Sequence, residues 1–300
     1  MVQRIDYFDN KKILITGGGG YLGSKLAVKL ADSNARIYLL DINFNSISQK
    51  LISQSDQIFK LTADLTNYSE IEDSCKKASP DIIFHFGALL NRERNFSLYD
   101  KLYEVNVKGT LNLLQSLRQC DYEGFYFAST SEVYGTKNSL SFNEKMIPSP
   151  VSPYSLTKIM AEFLISTFSE KEAKPYTILR IFNFYGSDMP ENFFISQLQA
   201  SLNRNEKFKM TRGEQKRDFL HIEKLNEYIL LLSQLNESKN QIINICSGEG
   251  IEIRQLAMNI AKSQQKENLL EIGALDYREN EIWEMIGDNT KLKALLQGME

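Results

Sequence analysis

The sequence predicts an α/β fold: a doubly wound parallel sheet with a smaller mixed α/β lobe towards the C-terminus. Two observations carry the prediction. Short apolar runs rich in β-branched and aromatic residues alternate with helical patterns over the first 182 residues, which is the rhythm of βαβ units. The first run, Ile13-Leu14-Ile15, breaks at Gly17-Gly18-Gly19-Gly20, and a helical pattern (Leu22, Leu26, Ala27, Leu30) starts at once. The chain is long enough for one large domain or two fused lobes, and no Pro/Gly-rich linker divides it.

Composition narrows the function classes. Of the 300 residues, 42% are hydrophobic and 24% charged, the balance of an ordinary soluble globular protein. The net charge of -3 makes no electrostatic case for nucleic acid or an anionic membrane. An anionic ligand must therefore be held by local groups. Cys75, Cys120 and Cys246 are odd in number and widely spaced, so they read as reduced structural thiols of a cytoplasmic protein, not as a metal site. Met1 to Asn10 lack the apolar core of a signal peptide, and no run approaches the length of a membrane span.

The glycine stretch is the element on which the rest is organised. Gly17, Gly20 and Gly23 follow a strand and open a helix. Such a turn lets a pyrophosphate approach the main chain, where free N–H groups and the helix dipole favour negative charge. The second strand, Ala35 to Asp41, ends in a carboxylate about 20 residues beyond the glycines, placed to accept both ribose hydroxyls of an adenosine and to repel a 2′-phosphate. Ile42-Asn43-Phe44 supply no cation for such a phosphate. These features predict a Rossmann-type dinucleotide-binding domain over residues 1–182, with NAD preferred to NADP.

The third strand ends at Leu61-Thr62-Ala63-Asp64-Leu65, and the fourth, Asp81 to Phe86, runs into Gly87-Ala88, small enough for a flat ring to lie against the backbone. His85 reads as a packed core residue. A long helical segment, roughly 97–119, carries Asn106 as a polar member that needs a partner. The fifth strand, Gly124 to Ala128, delivers Ser129-Thr130-Ser131-Glu132 at its C-terminal end, the side on which doubly wound sheets bind ligands. A loop of about 18 residues follows, a length usually either functional or disordered in a compact domain. Tyr154 to about Glu172 reads as a helix and Tyr176 to Phe182 as the sixth strand. Residues 183–300 form the smaller, substrate-binding lobe, with 217–246 returning to the larger domain as a further βα pair. The tail from Gly250 reads as mainly helical.

Chemistry enters at Tyr154 and Lys158. Four residues apart, they share one helix face. A nearby ammonium favours tyrosinate, and such a tyrosine can take a proton from an alcohol while hydride leaves the same carbon. Thr130 is a second hydroxyl suited to hold that alcohol.

The ordered set Gly17-x-x-Gly20-x-x-Gly23, Asp64-Leu65, His85-Phe86-Gly87-Ala88, Asn106, Ser129-Thr130-Ser131-Glu132-Val133-Tyr134-Gly135, Tyr154-x-x-x-Lys158, Arg180-Ile181-Phe182-Asn183 and Arg217-Asp218-Phe219 resembles extended short-chain dehydrogenase/reductases. More narrowly, the chain resembles NAD-dependent nucleotide-sugar epimerases and dehydratases, almost end to end. The resemblance implies pyrophosphate on the backbone of Tyr21 and Leu22, ribose on Asp41 beside Asn43, and adenine between Asp64 and Leu65. It also implies that Phe86, Gly87, Ala88, Ser129 and Phe182 line the cofactor, and that Asn106 braces the helix bearing the tyrosine. Asn183, Asn192, Phe193, Arg217 and Arg278 fall where the family binds the nucleotide diphosphate of its substrate. Guanidinium groups suit phosphate geometry. Resembling proteins form dimers through the two helices at 97–119 and 154–172.

The resemblance fixes the reaction less tightly. Thr130-Ser131-Glu132 is similar to the version in GDP-mannose-type dehydratases and UDP-glucuronate decarboxylases, and simple 4-epimerases usually lack the glutamate. The short chain instead resembles compact ketoreductases and epimerases. The leading expectation is C4 oxidation of a nucleotide sugar by bound NAD, followed by epimerisation, dehydration or decarboxylation. A 4-ketoreductase and a non-catalytic NAD-binding regulator are the alternatives.

Overall fold

The computed structural model describes residues 5–91, 93–136 and 141–297. The extreme termini and part of the loop after the fifth strand lie outside the described residues. From the N-terminus run β1 (Lys12–Thr16), α1 (Tyr21–Leu30), β2 (Arg36–Asp41), α2 (Ser46–Gln54), β3 (Ile58–Thr62), α3 (Tyr68–Ala78) and β4 (Ile82–His85). Next come α4 (Tyr99–Tyr103), α5 (Gly109–Ser116), β5 (Gly124–Thr130), α6 (Pro153–Glu172) and β6 (Tyr176–Ile181). The strands β1, β2 and β4 are almost wholly buried, as a sheet covered on both faces requires.

The remainder is β7 (Asn183–Tyr185), α7 (Phe194–Asn203), β8 (Phe208–Met210), β9 (Lys216–His221), α8 (Ile222–Leu232) and β10 (Gln241–Ile245). It ends with β11 (Gly250–Glu252), α9 (Ile253–Ser263), β12 (Leu270–Ile272), β13 (Glu284–Met285) and α10 (Thr290–Gln297). The large sheet has seven strands in the order β10-β6-β5-β4-β1-β2-β3, all parallel. The order reverses between β1 and β4, so their C-terminal ends form the crevice where such sheets bind ligands. One apolar layer packs α1, α8 and α10 on one face, with Leu26, Leu225, Ile229 and Leu292 buried; Ile71, Leu113 and Ile165 pack α3, α5 and α6 on the other.

The segment 217–246 divides. Its first strand, β9, pairs with β7, β11 and β13 in the small lobe, whereas α8 and β10 join the large sheet. The tail is less helical than its sequence suggests. β11, β12 and β13 are two or three residues long and borrow their register from β8 and β9. Strands so short carry no periodicity of their own.

The long helix at 97–119 is likewise two helices joined by a π-helical turn over Glu104–Lys108. Asn106 sits inside that turn. Its Oδ1 accepts from the Leu89 N–H (2.8 Å), and its Nδ2 donates to Leu89 O (3.1 Å) and Thr157 Oγ1 (3.1 Å). The helix thus gives up regular geometry to pin the loop after β4 against α6.

Candidate active site

At the β1–α1 turn, Gly17 has φ +69°, and a Cβ there would press on the Phe86–Gly87 peptide at 2.7 Å. Only glycine lets this turn lie so close to the loop after β4. The N-terminus of α1 has no side-chain cap, which leaves its first main-chain donors, among them Tyr21 and Leu22, available to an anion. Asp41 closes the turn: its carboxylate accepts from the N–H groups of Gly19 (3.1 Å), Ile42 (2.8 Å) and Asn43 (3.3 Å). Asp64 accepts from both the N–H and the hydroxyl of Thr66 in the turn before α3, while Leu65 packs against Gly87 and Gly109. A glycine cradle, an uncapped helix end and a fixed carboxylate suit a dinucleotide.

His85 is walled in below this crevice. Thr110 donates to Asn106 O and so accepts from His85 Nε2 (2.9 Å); Thr16 accepts from the Gly87 N–H and donates to Nδ1 (2.6 Å). Burial, aided by the charge of Lys158, pushes the imidazole down to about 3. It stays neutral and structural.

Across the sheet ends, Ser152 and Ser155 form a capping box and Pro153 occupies the first turn, so α6 starts at a fixed point and presents Tyr154 and Lys158 inward. Lys158 is 2% exposed, and its ammonium lies 4.0 Å from the centroid of the Phe127 ring. Burial drives the lysine down to about 7, opposed by the charge of Glu162. Glu162, one turn further on, is buried in a salt bridge to Arg180 on β6 (2.7 Å) and accepts from Ser129 Oγ. This buried pair ties α6 to the ends of β5 and β6.

Two connected recesses meet at Asn183 and Phe193. The inner chamber, about 160 Å³, gathers Phe86, Ala88, Ser129, Thr130, Ser131, Glu132, Tyr154, Lys158 and Phe182. The outer cleft, about 350 Å³, contains Arg217 and Arg278. Asn192 lies on a neighbouring open recess with Phe193 and Arg278. The chamber joins three hydroxyls, a tyrosine, an ammonium and a carboxylate, a set that can move protons on an alcohol. The cleft offers guanidinium groups to an anion. Arg217 already holds a partner: its guanidinium donates to Glu281 (2.5 Å) and to Lys216 O (2.8 Å), and burial presses its pKa below the usual arginine value.

Three side chains at the site escape the sequence reading. Glu281 is one. Asp218, present in the Arg217-Asp218-Phe219 motif, is another whose role was not read: buried, it accepts from the N–H groups of Ser247, Gly248 and Gly287, clamping β9 to two distant loops, and burial raises its pKa. The third is Met285 on β13, whose sulfur accepts from Ser131 Oγ (3.1 Å) and Asn183 Nδ2 (3.9 Å). All three partnerships are long-range, so no spacing signals them.

A family model described as GDP-mannose 4,6 dehydratase matches residues 14–297. The chain is 28% identical over 289 residues to the GDP-6-deoxy-D-talose 4-dehydrogenase of Aggregatibacter actinomycetemcomitans, covering 95% of this chain and 91% of that one. It is 30% identical to a dTDP-D-glucose 4,6-dehydratase of Dictyostelium discoideum over 82% of this chain and 60% of that one. In fold it is similar to the UDP-glucuronic acid 4-epimerase of Bacillus cereus, with a TM-score of 0.88 and 23% identity over 95% and 92% of the two chains.

Proposed function

The chain belongs to the extended short-chain dehydrogenase/reductase family of GDP-mannose 4,6-dehydratase, and on that premise we propose that it is an NAD-dependent nucleotide-sugar epimerase or dehydratase acting through C4 oxidation. The observation that carries the reading is the single chamber holding Thr130, Tyr154 and Lys158, open to a cleft with Arg217 and Arg278.

In this reading Gly17, Gly20, Tyr21, Leu22 and Gly23 hold the pyrophosphate of NAD, Asp41 and Asn43 the adenosine ribose, and Asp64 and Leu65 the adenine. Phe86 to Ala88, Ser129 and Phe182 flank the nicotinamide end, which supplies a hydride acceptor when bound. Tyr154 takes the C4 hydroxyl proton of the sugar, Thr130 holds that oxygen, and the Lys158 ammonium stabilises the tyrosinate. Asn183, Asn192, Phe193, Arg217 and Arg278 grip the nucleotide diphosphate, with Arg217 exchanging Glu281 for phosphate. Ser131 shapes the chamber wall.

Dehydration is the second reading, favoured by one observation: the carboxylate of Glu132 lines the same chamber, where it can take the C5 proton of a 4-keto sugar. An external-cofactor ketoreductase ranks lower because Asp41 disfavours the 2′-phosphate of NADPH. A homodimer through α4–α5 and α6 completes the proposal, as does a cytoplasmic setting suited to the free thiols of Cys75, Cys120 and Cys246. Among the described residues no helix is long and apolar enough to cross a membrane.

The test is direct. The purified protein is denatured, the released dinucleotide identified, and nucleotide sugars are screened with the native protein by mass spectrometry. Retained NAD with conversion of a nucleotide sugar supports the reading; neither retained nor added NAD supporting any conversion overturns it.

A further inference from the structure

Tyr21 opens α1, and in the reading above its main chain meets the pyrophosphate of NAD. Its side chain serves a different element. The hydroxyl donates to Ser187 O (2.9 Å), between β7 and α7 and 166 positions away. The ring lies parallel to that of Phe184 on β7, with 2° between planes and 6.3 Å between centroids. One turn along the helix, Lys25 forms an ion pair with Asp188 (2.9 Å) and reaches Ser187 Oγ (3.4 Å). Asp188, at φ +62°, keeps a backbone conformation uncommon outside glycine. At Gly186 a Cβ would lie 2.8 Å from the Tyr21 hydroxyl oxygen and closer still to Ile222, so this segment passes hard against α1 and α8. Burial, helped by the charges of Asp188 and Glu223, raises the Tyr21 phenol to about 12, and it remains a donor.

The segment tied in this way builds one side of both recesses. Asn183, Phe184 and Phe193 line the chamber and the cleft, and Met189 lines the cleft. The rings of Phe184 and Phe193 meet at 6.2 Å, so aromatic contacts run from the glycine turn to the point where chamber and cleft join. Tyr21 itself is not among the residues lining either recess, and its side chain acts from behind the segment. A ligand that needs a segment in place binds more weakly in proportion to the time that segment spends elsewhere.

We propose that Tyr21 is a positioning residue for the substrate cleft: through its ring and hydroxyl the cofactor-binding turn holds the 183–193 segment where it meets the nucleotide diphosphate, so one residue sets both sites. The inference rests on the nucleotide-sugar reading above. It makes affinity in the cleft depend on a hydroxyl that the ligand does not touch.

The experiment uses the purified full chain saturated with NAD, and UDP, dTDP and GDP as probes of the cleft, with binding followed by titration calorimetry. For whichever nucleotide binds the parent, Tyr21→Phe should weaken it by about three- to tenfold, the scale of one neutral hydrogen bond. Tyr21→Leu, which also removes the stacked ring, should weaken it further. Lys25→Met, which removes the second tie, should weaken it by about two- to fivefold, and it decides the matter if neither tyrosine variant folds. On the nucleotide sugar that the chain converts, the Tyr21→Phe loss should fall on KM more than on kcat, a split that a general loss of fold would not produce. Parent affinity in a folded Tyr21→Phe overturns the inference and leaves the nucleotide-sugar reading standing. So does a loss confined to kcat, or a weakening that appears without added NAD and vanishes at saturation, since the defect then lies in the dinucleotide site. Failure of all three nucleotides to bind the parent overturns the reading itself, and the inference with it.

Discussion

Three side chains carry separable predictions. Tyr154→Phe keeps the ring and removes the proton acceptor, so dinucleotide binding should survive while turnover falls about 10²-fold or more, the usual cost of a positioned acid–base group. Full activity in that variant, with a confirmed substrate, would remove Tyr154 from the mechanism. Glu132→Gln divides the reactions. In a dehydratase the variant should still show nicotinamide reduction by absorbance on adding substrate and then stall before water leaves. In a 4-epimerase it should turn over almost normally, because no proton leaves C5. Lys158 gives a prediction about stability. Its folded pKa, about 7, lies below the ordinary 10.5, so between those values the unfolded chain binds the extra proton and stability rises with pH. The burden is full below pH 7 and gone above about 10.5. Lys158→Met should therefore stabilise the fold by about 1–4 kcal/mol near pH 6, and thermal melts should show the gain shrinking towards pH 10. A gain that is independent of pH would mean the lysine is not held neutral-prone by burial.

At the scale of elements, what the sequence revealed was local and what it hid was non-local. The β1 strand, the glycine turn and the start of α1 are legible because each rests on neighbouring residues: an apolar run, glycines where the backbone needs them, a helical repeat. The placement of Tyr154 and Lys158 on one face of α6 is local too. The π-helical turn at Glu104–Lys108 is not, since it exists to let Asn106 reach Leu89 and Thr157, residues 17 and 51 positions away. The sequence indicated that Asn106 needs a partner and, through the family resemblance, that it braces the helix bearing Tyr154, but not the π-helical turn or the Leu89 contacts. Two predictions belong here. Asn106→Ala leaves the N–H and carbonyl of Leu89 without this partner and should cost about 1–3 kcal/mol, with dinucleotide affinity falling because the loop after β4 is released. A variant that melts and binds as the parent does would show the loop to be held by other contacts. The β1–α1 turn and the end of β2 together set cofactor choice. With Asp41 fixed by three backbone donors, a 2′-phosphate meets a carboxylate that cannot swing away, and NAD should bind far better than NADP. Equal affinities by calorimetry would contradict this.

For the molecule as a whole, the sequence conveyed the doubly wound sheet, a second lobe and the return of a helix and strand within 217–246 to the large sheet, but not that β9 stays behind in the smaller one. The break after β9 is marked by no change in composition. It is decided by which apolar faces are left uncovered, and α8 buries Leu225, Ile229 and Leu232 against the larger core. The same question of uncovered faces leads beyond the single chain. Phe96, just before α4, and Phe163, on α6, are each 65% exposed, while Phe96, Tyr99 and Tyr103 stack along one side of the α4 region. Leu164 and Phe168 on α6 are only partly buried by the core beneath them. Adjacent helices with large aromatic side chains turned outward are the face through which we propose that a second copy packs, four helices meeting about a two-fold axis. Light scattering at micromolar concentration should therefore give twice the chain mass of 34.5 kDa. Phe163→Asp, a substitution at an exposed position that costs the monomer little, should shift the protein towards monomer by burying a charge in the interface. A parent protein of single-chain mass would rule the dimer out, and an unaltered dimer in the Phe163→Asp variant would move the interface to another face.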